Sequence, residues 1–80
     1  MEKEISIVGI FVEDRRQNAC KVNDILTSFG SLIVGRLGIP YEDRNMSIIS
    51  IIVDAKSREI NEMTSKLSDI DGVKVMSMQG

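Results

Sequence analysis

Two runs of β-branched residues constrain this chain more than anything else in it. Ile5 to Val12 is one; Met46 to Val53, reading Met-Ser-Ile-Ile-Ser-Ile-Ile-Val, is the other. β-Branched side chains favour pleated backbone, so both runs are predicted strands. A strand with one face in water alternates apolar and polar residues. Neither run does. Ile5, Ile7 and Phe11 fall on one face of the first, with Val8, Ile10 and Val12 on the other. The second sets Met46, Ile48 and Ile52 against Ile49, Ile51 and Val53. Helices in a chain of 80 residues can cover one sheet face only. The other face is left apolar and open, which in water is a contact or aggregation surface. The expectation is self-association, as a homodimer or a dimer of dimers through the open sheet face, by stacking or by edge pairing.

The rest of the chain supplies the helices for the covered face. Asp14 is a candidate N-cap, with Gln17 three residues on as in a capping box. Ala19, Val22, Ile25, Leu26 and Phe29 then recur at helical spacing, and Gly30 reads as the stop. A second helix is expected from Ser57 to about Ile70, with Ile60, Met63, Leu67 and Ile70 as its stripe and Asp71-Gly72 closing it. Leu32 to Ile39 reads as a strand weakened by Gly35 and Gly38. Pro40 to Asn45 reads as a turn, and Val73 to Met78 as a short last strand.

The order βαββαβ over residues 1–80 predicts one α+β domain of the ferredoxin-like type, a two-layer sandwich with a four-stranded antiparallel sheet in the order 4-1-3-2. The two long apolar runs suit the central positions. Gly35, Arg36, Gly38 and Lys74 suit the edges.

Composition narrows the function. There is no histidine and one cysteine, so no Ser-His-Asp triad, Cys-His pair, intrachain disulfide or Cys/His zinc site can be built. No catalytic residue, metal ligand set or cofactor site is expected. At this length only roughly 60% of the unfolded surface can be buried, which again points to partner contacts as a source of stability. The net charge of −2, with Arg15-Arg16 as the longest basic run, offers no field for phosphates, so direct nucleic-acid binding is not expected. No segment reads as a signal peptide or membrane span, and the expected location is cytoplasmic.

Five residues stand out as an effector-binding site or a subunit interface: Asp14, Arg15, Arg36, Gly38 and Tyr41. Asp14 and Arg15 are otherwise a cap and a first-turn charge. Arg36 lies in an apolar strand and needs a partner, from Glu42, Asp43, Asp54 or a neighbouring chain. Gly38 leaves room for close approach, and Tyr41 offers a ring with a hydroxyl. Cys20 lies off the apolar stripe of its helix and reads as a surface thiol. Met76 and Met78 read as edge-strand packing.

Several segments together carry a resemblance: Val12-Glu13-Asp14-Arg15, Gly35-Arg36-Leu37-Gly38-Ile39-Pro40-Tyr41, Asn45-Met46-Ser47-Ile48-Ile49 and Leu67 to Val75. They resemble the family of iron-only hydrogenase system regulators over nearly the whole chain. That family is similar to the ligand-binding half of the nickel-responsive repressor and to ACT domains, βαββαβ modules that associate through their sheets. The resemblance implies a non-enzymatic, sensor-like regulatory module that acts through a protein partner or a small effector. The alternative it leaves is a structural or chaperone-like protein for hydrogenase maturation. The nickel repressor's histidine ligands and DNA-binding segment are missing here, and Arg15-Arg16 stands where ACT domains carry Pro-Gly. Neither nickel sensing nor amino-acid binding is therefore implied.

Overall fold

The computed structural model describes residues 2–80. In chain order the elements are β1 (Glu4–Glu13), α1 (Arg15–Ser28), a 3-10 turn (Gly30–Leu32), β2 (Ile33–Tyr41), a second 3-10 turn (Glu42–Arg44), β3 (Met46–Ala55), α2 (Ser57–Ser68) and β4 (Val73–Gln79). The sheet runs β2-β3-β1-β4, with every pair antiparallel, so the two Ile/Val-rich runs are the central strands. This is the ferredoxin-like βαββαβ arrangement expected from the sequence.

The two faces of the central strands divide as their side-chain pattern requires. Val8, Ile10 and Val12 of β1 and Ile49, Ile51 and Val53 of β3 are buried beneath the helices. They pack with Val22 and Leu26 of α1 and with Ile60, Met63 and Leu67 of α2. On the opposite face Ile7 stands between Ile52 and Met78, and Phe11 between Ile48 and Lys74. Ile7 is 45% exposed and Met78 65%. Between these two rows lies a lower one, in which Leu37, Ser50, Gly9 and Met76 are successive neighbours across the sheet. A Cβ on Gly9 would meet nothing within 4 Å.

Several boundaries differ from expectation. β2 continues through Pro40 and Tyr41, which the sequence assigned to a turn; Pro40 pairs with Ser47 and Tyr41 with Met46. A proline is tolerated there because an edge strand has one side with no ladder to satisfy. Gly30 is not a left-handed stop: the only described glycine with positive φ is Gly72, at 85°. α1 ends instead with the Phe29 N–H bonded to the Ile25 carbonyl, and the chain turns on into Gly30–Leu32. α2 stops at Ser68, short of Ile70, where the Ile70 N–H bonds back to Leu67 only three residues away.

The capping box at α1 does not form. Asp14 occupies the N-cap position but is left-handed (φ 51°, ψ 61°), and its side chain makes no capping bond. Its backbone carbonyl takes the Gln17 and Asn18 N–H groups, while its carboxylate accepts a 3.2 Å bond from Asn45 Nδ2. The helix with a reaching N3 side chain is α2, where the Lys56 N–H donates to Glu59 Oε1 at 3.0 Å.

Candidate functional site

The helical repeat places Arg15, Ala19 and Asn23 on one face of α1, at spacings of four. That face looks onto edge strand β2, where Arg36, Gly38 and Pro40 share the helix side of the sheet. Val12 of β1 and Ser47 and Ile49 of β3 complete the lining. The cleft is open to solvent on one side, with Asn23 and Arg36 exposed, and has a volume of about 220 Å³.

The cleft is electrically one-sided. Arg15 and Arg36 both line it, and no carboxylate does. Among the described residues the one ion pair lies elsewhere, between Lys66 and Glu62 of α2 at 3.6 Å. Arg36 therefore has none of the acidic partners the sequence suggested. Its Nη2 donates instead to Asn23 Oδ1 at 2.7 Å, a solvent-exposed bond that joins β2 to α1. Asn23 is the residue sequence reasoning missed; the i, i+4, i+8 relation to Arg15 and Ala19 was the signal available for it.

Gly38 is central to the shape. Its φ is negative, so no turn requires glycine here. A Cβ would meet only Ile49 Cγ1, at 3.9 Å, which is ordinary contact. Glycine in a strand gives up stability. What it leaves here is unfilled space between α1 and the sheet.

Of the five residues singled out, the structure brings Arg15, Arg36 and Gly38 into one cleft. Tyr41 lies elsewhere: it is 46% exposed and pairs with Met46, on the open side of β2. Asp14 is held by Asn45 and does not line the cleft. Cys20 is exposed. Among the described residues no helix is long and apolar enough to cross a membrane, and no three His, Cys, Asp or Glu side chains are grouped to hold a metal ion.

Residues 4–77 match the family model described as "TM1266-like: Iron-only hydrogenase system regulator, putative". The chain belongs to the TM1266-like family. The solved structure of TM1266 from Thermotoga maritima, described as an uncharacterized protein, superposes with a TM-score of 0.93 at 35% identity, over 98% of each chain. No curated protein matches the sequence. For a TM1266-like chain, then, the family carries a description as a regulator and a fold shared end to end with a solved member.

Proposed function

We infer that this chain is a non-enzymatic, self-associating regulatory module of an iron-only hydrogenase system, working in the cytoplasm through a protein partner or a small effector. The observation that carries the reading is the apolar open face of the sheet. Its central rows are filled by Ile7, Phe11, Ile48 and Ile52, with charge confined to the margins at Asp54, Glu13 and Lys74. A face of this composition is costly to leave in water and suits a partner surface of the same kind.

The relief of that face favours a second copy of the chain as the partner. The centre of the face is low at Gly9 and Ser50, with Ile7–Ile52 and Phe11–Ile48 raised on two sides and Leu37 and Met76 at the ends of the same row. Two such faces related by a twofold axis can each set a raised side chain into the other's low centre, as an isologous contact demands. A dimer, or a dimer of dimers, is the form expected. The family's description as a regulator supports the functional half of the reading.

Sedimentation velocity across a concentration series tests it. The wild-type chain is expected to sediment as a dimer or tetramer at low micromolar concentration. Ile7→Glu, at an exposed position outside the core, is expected to shift it to a folded monomer. A well-behaved wild-type monomer overturns the reading.

A further inference from the structure

We propose that the cleft between α1 and β2 binds a small organic carboxylate, with its anionic head at Arg15 and Arg36 and its hydrocarbon part against Val12, Ala19 and Ile49. This deepens the regulatory reading by giving the effector a chemical class, and rests on that reading for its biological meaning.

The charge arrangement comes first. The chain is acidic overall, with 12 carboxylates against 10 basic side chains. Even so, the fold brings two arginines, Arg15 and Arg36, to the lining of one cleft that no carboxylate lines; Glu42 stands on the far side of Arg15, in the next surface depression. An anion seated in the cleft would be attracted by both arginines. Arginine presents a rigid fork of donors that fits a carboxylate in two-point fashion. The bond to Asn23 Oδ1 uses only part of the Arg36 fork and fixes its direction.

The lining then decides what kind of anion. Apart from Arg15, Asn23, Arg36 and Ser47, the walls are apolar. A bare inorganic oxyanion would leave them against water. A carboxylate on a short hydrocarbon chain covers them, which is the usual division of labour in a small-molecule site. No acidic group is present to receive an ammonium, so the site disfavours amino acids. The volume of about 220 Å³ suits a molecule of a few carbons, since an apolar cavity of about 150 Å³ holds benzene. Gly38 keeps this volume empty, in a strand where a side chain could stand without a clash.

The test is a nuclear magnetic resonance titration of the full chain. The probes are propionate, butyrate, succinate and glutarate, each beside its own amide, with inorganic phosphate as a further arm. At least one carboxylate is expected to give saturable shifts at the Ala19, Gly38 and Ile49 amides, and to bind about tenfold or more tighter than its amide. Arg15→Gln and Arg36→Gln should each weaken it. Gly38→Val should abolish binding by filling the cleft, with the rest of the spectrum unchanged. Should Gly38→Val disturb the fold, the smaller Gly38→Ala, whose methyl meets only Ile49, is expected to weaken binding. The proposal is overturned if no carboxylate saturates, if acid and amide bind equally, if phosphate binds as well as the best carboxylate, or if the folded Gly38 variants bind like wild type. Sedimentation is read separately, so loss of this site leaves the self-association result standing, and the reverse.

Discussion

A Cβ placed on Gly72 would lie 3.1 Å from Asn18 Nδ2. The contact matters because that amide is committed elsewhere. It donates to the Glu13 carbonyl at 2.8 Å and to the Asp71 carbonyl at 2.9 Å. A buried side chain on α1 thus pins the end of β1 to the turn that launches β4. The Glu13 N–H closes the same corner with a 2.7 Å bond to the Gly72 carbonyl.

Gly72→Ala is therefore expected to destabilise the fold on two counts. At φ 85° a side chain is strained, at about 1–2 kcal/mol for a left-handed residue, and the added methyl crowds Asn18. Urea denaturation should show a lowered midpoint with an unchanged slope. Gly35→Ala, whose Cβ meets nothing within 4 Å, is the control and should not lower the midpoint comparably.

Asn18→Ala should cost about 1–3 kcal/mol, because two carbonyls lose their donor at a corner the side chain itself shields. Asn18→Asp is expected to be at least as damaging, since a carboxylate can only accept and would face two carbonyl oxygens. Chemical denaturation of both variants checks the order.

Cys20→Ser should change stability by less than about 1 kcal/mol, as is usual for a surface site. A loss of several kcal/mol would mean that the thiol holds a partner.

Gly9 separates the fold from the assembly. Its Cβ would stand in open space within one chain, so Gly9→Val should leave the folded monomer intact and suit a strand better than glycine does. In the self-associated form it would raise the low row of the open face. A fall in apparent molar mass with native circular dichroism is the expected outcome, and an unchanged oligomer would exclude close approach at this point.

The sequence made the sheet legible because its central strands are apolar on both sides, and no other arrangement of so short a chain places two such strands together in its middle. The same pattern separated Val8 from Ile7 and Ile51 from Ile52 correctly. What escaped were residues whose roles depend on a distant part of the chain. Asn18 is a polar residue inside a helical stripe, and its partners, Glu13 and Asp71, meet only after β4 has docked. Asp14 has the composition of a cap. Its backbone is left-handed here instead of extended as a capping residue's is, and its carboxylate accepts from Asn45 of the β2–β3 connection. Of the cleft, Arg15, Arg36 and Gly38 were visible as unusual residues in their elements. Their convergence was not, because it depends on the packing of α1 over an edge strand.

The position of β1 carries a consequence for how the chain reaches this state. Ile7 pairs with Ile52 on one side and with Met78 on the other, so neither neighbour of the strand is local in sequence. The loop-closure cost of both ladders must be met before either rewards it, which is the signature of slow folding among small domains. A chain in which Val73–Gln79 has not paired would leave Ile7 and Phe11 on a strand with one bare edge as well as one bare face. A chain in that state would be prone to pairing with the wrong copy of itself, so the yield of correctly assembled protein should fall as refolding concentration rises.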